Sequence, residues 1–468
     1  MTLAIHIVNG YLSLKVFQIC RLNELTLIPL ILQKNYFLYS HDLKILEEIM
    51  KIPQHDFAPG KIECCQVCGS KNLKLIVDLG HQPLCDSLLD PEDLNKPETY
   101  YPLRQFWCKD CSLNQIDYVV DGSTVYHKEY PYRSGITKEL AVYQEQISDE
   151  LTTMFKVSTN DLVVDIGSND GTLLKGFKKK NIRTLGVEPT NIAKIAQNEN
   201  GIETIQSFFT ENTANEIVKN FGKAKIITTT NVFAHMATLG EVVRGVYNLL
   251  ADDGIFMIEN HYLLQVLQKN QFDTIYHEHL RTYSLRSLMQ LFSYYNMTVV
   301  DVRQVDRYGG NIRIYVSKNK TATTSQNVKD LIALEESAGL YKEETYTQFA
   351  KNTYKIRDEL LTFIGDAKKQ GKRIVGNSCP GRCSTLLNFC GIDSEMIHYL
   401  AEQPTSLKLG KFLPGKHIPV ISNQVLFDEQ PDYVILMAWH YSQPIIENLR
   451  SRGLKSKFVI PFPNLQVV

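Results

Sequence analysis

Two C-x-x-C pairs, Cys65 with Cys68 and Cys108 with Cys111, have types and spacing that specify chemistry. Each pair sets two thiolates around a shared centre. Two pairs complete a tetrahedron with no open position, so the expected ion is a structural Zn2+. Cys64 could replace Cys65 in the set, and Cys85 in the same segment reads as a spectator. Further on stands Val164-Asp165-Ile166-Gly167-Ser168-Asn169-Asp170-Gly171. Its two glycines let the backbone pass close to a ligand at the end of a strand. The order D-x-G-x-x-x-G differs from the dinucleotide fingerprint, and no P-loop lysine accompanies it. Glu188 closes the next strand, where an acid can accept hydrogen bonds from ribose hydroxyls. Asp165, Gly167, Ser168, Asn169, Asp170, Gly171 and Glu188 together point to S-adenosylmethionine rather than NAD.

The densest polar run is Asp273-Thr274-Ile275-Tyr276-His277-Glu278-His279-Leu280. Two histidines with a glutamate between them offer a base and a carboxylate partner, because neutral imidazole can take a proton near pH 7. Tyr276 could donate to a developing oxyanion. The H-E-x-x-H and H-x-x-E-H metal patterns are absent here.

Alternating strands and helices must position these residues. Strands are expected at Leu162–Ile166, Thr184–Glu188, Ile226–Thr230 and Gly254–Glu259, with helices such as Asn191–Asn198 and Asn212–Lys219 between them. This alternation predicts a parallel sheet covered by helices. The reactive run then follows the fourth strand, where open α/β sheets place their ligands. Met297–Val305 and Asn311–Ser317 read as an antiparallel edge hairpin around Gly309-Gly310. Thr321–Gln326 is a polar linker, and Asn327 to Lys372 reads as one or two long helices. A second α/β unit follows, with strands expected at Arg373–Asn377, Met396–Leu400, Tyr433–Ala438 and Lys457–Ile460. In the first 60 residues, Leu43, Leu46, Ile49 and Met50 have helical spacing, but no function attaches to that segment.

Length and composition bound the answer. The chain has 468 residues, enough for two or three domains, with 44% hydrophobic and 22% charged residues. A formal net charge of −1 argues against broad nucleic-acid binding, which needs a clear excess of Lys and Arg. No secretory leader is visible, and the longest early apolar run, Leu25 to Leu32, falls short of the ~20 residues that span a bilayer. Paired thiols without export signals fit a reduced, cytoplasmic setting and no membrane.

In order along the chain come the cysteine pairs, Asp78-Leu79-Gly80-His81-Gln82-Pro83-Leu84, Tyr130-Pro131-Tyr132-Arg133-Ser134, the glycine loop, Tyr276-His277-Glu278-His279 and Gly309-Gly310-Asn311-Ile312-Arg313. Gly410-Lys411-Phe412-Leu413-Pro414-Gly415 and the run Pro431 to Trp439 complete the set. From residue 61 onward the chain resembles the three-domain C-methyltransferases of nucleotide-diphosphate deoxysugars. The resemblance implies an α/β protein: a class I methyltransferase Rossmann-like domain flanked by an N-terminal zinc-binding domain and a C-terminal Rossmann-like domain. The expected boundaries are about 1–60 for an extension, 61–125, 126–320 and 321–468. It further implies S-adenosylmethionine and structural zinc as cofactors, and a nucleotide-diphosphate sugar as partner.

Carried over by position, His279 matches the general base, Glu278 its active-site neighbour, and Tyr276 the catalytic tyrosine. Tyr130 matches a further active-site tyrosine, with Tyr132 the alternative and a candidate substrate contact. Arg382 and Lys408 are expected to grip the nucleotide diphosphate. The family's G-x-G-A-x-A-K-G loop is replaced here by Gly376-Asn377-Ser378-Cys379-Pro380-Gly381-Arg382-Cys383. Two glycines are lost and Arg382 takes the lysine position, where the two cations are not equivalent phosphate ligands. A methyltransferase of another keto substrate, or of RNA, is the alternative reading.

Overall fold

A computed structural model describes residues 3–8, 11–16, 52–127 and 130–468. Two compact units emerge, Met1–Ile52 and Pro53–Val468. In the first, Leu3–Val8 and Tyr11–Val16 pair as an antiparallel hairpin. The helical pattern expected at Leu43 to Met50 lies outside the described residues. The second unit begins earlier than residue 61, because residues near Pro53 are tied into it. His55 Nε2 lies 2.6 Å from the Val67 carbonyl and its Nδ1 2.6 Å from the Tyr295 hydroxyl. Asp56 pairs with Arg244 at 3.2 Å.

The central sheet has seven strands in the order 204–205, 183–187, 162–166, 224–230, 250–261, 311–317, 298–305. The first five run parallel, and the last two are antiparallel to their neighbours. Leu162–Ile166 is buried at every position. A nearly unbroken apolar run, interrupted only by Asp165 near its carboxyl end, is what a parallel strand covered on both faces requires, in place of polar alternation. Helix Lys138–Met154 covers it, and Ile147 and Leu151 share one core with Val163, Leu173, Phe177, Ile226 and Met257. The pair 298–305 and 311–317 is antiparallel as expected, but only Thr298–Val305 forms the edge; Asn311–Ser317 is interior and buried throughout.

The zinc-domain sheet orders its strands 281–282, 114–116, 101–108, 73–82. Its outermost strand, Arg281–Thr282, is contributed by the segment directly after His279. Two helices, Gln326–Ser337 and Glu343–Lys369, lead to the C-terminal sheet, ordered 420–422, 400–402, 374–377, 433–436, 457–460, 466–467. Its second strand is Leu400–Glu402 rather than Met396–Leu400. Met396 instead closes a turn, its amide donating to the Asp393 carbonyl. Val420–Ser422 and Gln466–Val467 are too short to stand out in the sequence. Among the described residues no helix is long and apolar enough to cross a membrane.

Candidate active site

The four Sγ atoms of Cys65, Cys68, Cys108 and Cys111 converge within 4.8 Å of one another. Cys65 and Cys111 approach to 3.4 Å, and Cys68 and Cys108 to 3.5 Å. Tetrahedral Zn–S bonds of ~2.3 Å set sulfurs just under 4 Å apart, so the donor set fits Zn2+. The amides of Val67 and Cys68 both point at Cys65 Sγ from 3.4 Å, which stabilises thiolate charge. Cys64 stands outside this set.

The glycine loop hugs its own sheet. Gly167 and Gly171 have φ of +69° and +75°, and a Cβ on Gly167 would lie 2.6 Å from Val232. The amides of Gly167 and Ser168 donate to the Val187 carbonyl. Glu188 is buried and accepts from the Asn169 amide at 3.0 Å and from Thr190. Burial pushes the Asp165 carboxyl up to about 7, although the Thr228 hydroxyl donates to it at 2.7 Å. Ser168 Oγ is buried without a partner. That orphan hydroxyl, beside glycines held open at positive φ, fits a loop shaped to receive a polar ligand. Asn169 and Asp170 also accept from the amides of Ser134 and Gly135, at 2.8 and 2.9 Å. The loop thereby holds the stretch that carries Tyr130 and Tyr132.

The reactive segment is held from both ends by different domains. Upstream, Asp273 pairs with Arg382 at 2.9 Å and accepts from Trp439 Nε1 at 2.8 Å, while the Thr385 hydroxyl donates to the Ile275 carbonyl at 2.8 Å. Downstream, fully buried Arg281 donates through Nε to Gln66 Oε1 at 2.7 Å. Gln66 lies between the first two zinc-set cysteines. The Ile116 amide donates to the Leu280 carbonyl at 3.0 Å. Ser284 then caps helix Leu285–Ser293 in a reciprocal capping box, which fixes where the segment ends.

Between these anchors, His279 Nδ1 lies 2.7 Å from the Thr274 carbonyl. A carbonyl only accepts, so Nδ1 carries the hydrogen and Nε2 keeps the free lone pair. Burial depresses the imidazole to about 4, so it is neutral at pH 7. The Tyr276 ring packs 3.9 Å from it, centroid to centroid. His277 faces elsewhere: its Nε2 meets the Pro102 carbonyl of the zinc domain at 3.3 Å. Glu278 accepts from the Tyr130 hydroxyl at 3.1 Å and from the Cys85 thiol at 3.3 Å. Burial, and the Asp86 carboxylate beside it, push Glu278 up to about 8. Burial also raises Tyr130 and Tyr276 well above the ordinary phenol range.

His279, Tyr276, Glu278 and Tyr130 therefore meet, as their motif positions suggested. Tyr132 is 40% exposed, and its carbonyl accepts from Asn169 at 3.2 Å. Arg382 and Lys408 sit differently from the expectation. Both are buried and paired with protein carboxylates: Arg382 with Asp273, and Lys408 with Asp86 at 2.6 Å. Neither cation is open to a phosphate. Cys85 stands outside the zinc set as expected, and its thiol touches Glu278 instead. Sequence reasoning also passed over His235 and His261, whose rings flank His279 at 5.0 and 4.9 Å. Both lie at or just past the carboxyl ends of parallel strands, and that position was the available signal.

Three family profiles match the chain in succession: a zinc binding domain over residues 65–126, a methyltransferase domain over 140–302, and a C-methyltransferase C-terminal domain over 306–463. The C-methyltransferase NovU of Streptomyces niveus is 34% identical over 416 residues, covering 87% of this chain and 97% of its own. Among solved structures, an S-adenosylmethionine-dependent methyltransferase from Clostridium acetobutylicum aligns with TM-score 0.30 and 13% identity, over 38% of this chain and 92% of its own. A 1,6-didemethyltoxoflavin-N1-methyltransferase from Burkholderia thailandensis aligns with TM-score 0.30 and 18% identity, over 39% and 80%.

Proposed function

This chain belongs to the family of C-methyltransferases with an N-terminal zinc-binding domain, and we propose that it methylates the carbon beside the keto group of a nucleotide-diphosphate deoxysugar. It is an S-adenosylmethionine-dependent enzyme. When bound, that donor supplies an electrophilic methyl group. The glycine loop Gly167–Gly171 and Glu188 would hold it, and the four cysteines would hold structural zinc. A reducing cytoplasm suits the free thiols of the described cysteines.

Carbon is a poor nucleophile unless an adjacent carbonyl lets it lose a proton and become an enolate. His279 is the base: Nε2 takes the α proton while the Nδ1 hydrogen bond to Thr274 holds the ring in orientation. Tyr276, un-ionised at neutral pH, donates a hydrogen bond to the oxygen that gains charge, while the Tyr130 hydroxyl donates to Glu278. Burial excludes water that would quench the carbanion by reprotonation. The observation that carries this reading is the His279 tautomer, a buried neutral imidazole whose Nε2 keeps its lone pair. The sugar half rests on the resemblance of the motifs, which makes Tyr132 a candidate substrate contact.

The test is transfer of labelled methyl from S-adenosylmethionine to a panel of nucleotide-diphospho-4-keto-6-deoxysugars, using zinc-loaded protein. Label on carbon of one panel member, lost in His279→Asn, is the expected result. Donor binding without label on any sugar would send the search to other keto substrates.

A further inference from the structure

Beside the base lies a buried set of groups that the enolate reading leaves unused. Cys85 and Asp86 come from the zinc domain, Glu278 from the reactive segment, and Lys408 from the C-terminal domain. All four are at most 9% exposed. Cys85 Sγ, an Asp86 oxygen and a Glu278 oxygen lie within 4.8 Å of one another. Lys408 Nζ is 2.6 Å from Asp86 Oδ1 and 2.9 Å from the Cys379 carbonyl. The ammonium thus already supplies the cation that such a set would attract.

Two buried carboxyls this close do not both ionise readily. The ammonium touches only one of them, Asp86, and so favours the charged form there. Glu278 has no cation in contact; it meets a phenol and a thiol. The two carboxyls are thereby divided into a fixed anion and a proton carrier, the arrangement that lets an acid and a base work at one pH.

We propose that Asp86, held as an anion by Lys408, is a positioning residue that keeps the Glu278 carboxyl protonated, so that Glu278 serves as the general acid opposite His279. This inference rests on the keto-substrate reading. In the forward step the α C–H bond breaks and its proton passes to His279 Nε2. The electron pair forms the C=C bond, and the Glu278 proton moves to the carbonyl oxygen, giving an enol. When the carbon takes the methyl group, the C–S electron pair stays on sulfur, turning the sulfonium into a thioether. The enol O–H returns its proton to Glu278 as the C=O re-forms. The α proton then leaves His279 for solvent, so atoms and charge balance. A protonated carboxyl keeps one O–H donor even while its oxygens accept from Tyr130 and Cys85.

The arrangement also explains why three domains meet here. The zinc domain brings the anion, the C-terminal domain brings its counter-ion, and the methyltransferase domain brings the acid.

The groups facing Glu278 are Asp86, Cys85, Tyr130, Tyr126, Tyr276 and Lys408, and Asp86 is the other carboxyl among them, ion-paired to Lys408 at 2.6 Å. Glu278 must be protonated to act, so turnover is lost as pH rises through about 8. Asp86→Asn removes the nearby charge and lets Glu278 ionise sooner, moving that basic limb of kcat down by about one to two pH units. Glu278→Gln keeps a donor but cannot titrate, so the limb disappears. A residue that merely supported the fold would lower kcat evenly at every pH.

Difference infrared spectroscopy of the full chain, between neutral and alkaline pH, reads the same proton without substrate. A protonated-carboxyl band should titrate near pH 8, vanish in Glu278→Gln, and titrate lower in Asp86→Asn. Asp86→Asn leaves Lys408 buried without its partner, so Asp86→Asn/Lys408→Met, which removes both charges, guards against misfolding. Its band should move the same way by less, because the nearer Asp86 charge outweighs Lys408. A band and a kcat limb that stay at the wild-type pH in both variants would overturn the proposal. A wild type that methylates no sugar on the panel would count against the keto-sugar reading alone, leaving the infrared titration to decide the Asp86 pair.

Discussion

The glycine loop and the reactive segment both lie at carboxyl ends of strands in one sheet, but they are held in opposite ways. The loop is tied to the strands beside it: its amides reach Val187 and Glu188, and Thr228 satisfies Asp165. The reactive segment draws on every domain. Arg382, Trp439 and Thr385 hold its start, while Gln66 and the strand Asn114–Ile116 hold its end. The loop proposed to hold the cofactor is thus fixed within one α/β domain, whereas the proposed base is placed by domain assembly.

Removing the zinc should give the largest separation of the two regions. Structural zinc contributes about 10–16 kcal/mol of apparent binding free energy, which is folding free energy for the elements it joins. A chelator strong enough to strip it should release Gln66 and the strand Arg281–Thr282, and turnover should fall to background. Calorimetry should still find S-adenosylmethionine bound, with affinity changed by less than about tenfold. Equal loss of both activities would show that the loop too depends on the zinc domain.

His279→Asn comes next, with turnover down by about 10²- to 10⁴-fold and donor affinity unchanged. Turnover near wild type would remove His279 from the chemistry. Gly167→Val is the converse experiment. Its Cβ would fall 2.6 Å from Val232 on a backbone with φ of +69°. Strain and overpacking of roughly 1–3 kcal/mol predict donor affinity weakened by about ten- to a hundredfold. Hydrogen exchange over residues 276–282 should stay as in wild type.

The smallest effect is a pH dependence of stability. His277 and His279 are depressed from 6.5 to about 4 by burial. As pH falls below 6.5 the unfolded chain takes up protons that the folded chain refuses. Stability therefore drops between about pH 6.5 and pH 4, by up to about 1.4 kcal/mol per unit for each imidazole. Thermal melts across that range check it, and His277→Asn should flatten the slope without abolishing turnover.

Legibility in the sequence follows the same division. The loop was readable because its requirements are local: glycines for positive φ between a strand and a helix, and an acid at the end of the next strand. The cysteine set was readable for a similar reason, since ligand spacing carries its own geometry. The contact of Cys85 with Glu278 was not readable because nothing near Cys85 in the chain shows that Glu278 will lie against its sulfur. Arg382 and Lys408 were expected at a phosphate because a cation in a ligand loop has no visible counter-ion until the chain folds. Those counter-ions, Asp273 and Asp86, come from other domains. Residue type alone left the choice between His277 and His279 open and only the resemblance of the motif pointed to His279, because the backbone turn that sends one ring to Pro102 and the other to Thr274 is not visible in the chain.

The sequence by itself determined the spacing of the four cysteines, the glycine loop between strand and helix, the alternation of strands and helices, and a histidine with a neighbouring carboxyl. Each depends on residue type at short spacing, which covalent geometry conveys directly. Only the tertiary structure decided which histidine turns Nδ1 to a carbonyl and leaves Nε2 free, and which carboxyl pairs with Lys408. It also decided that two expected phosphate contacts are internal ion pairs. Those outcomes depend on burial and on charges brought together from distant parts of the chain, and neither exists until the domains close on one another.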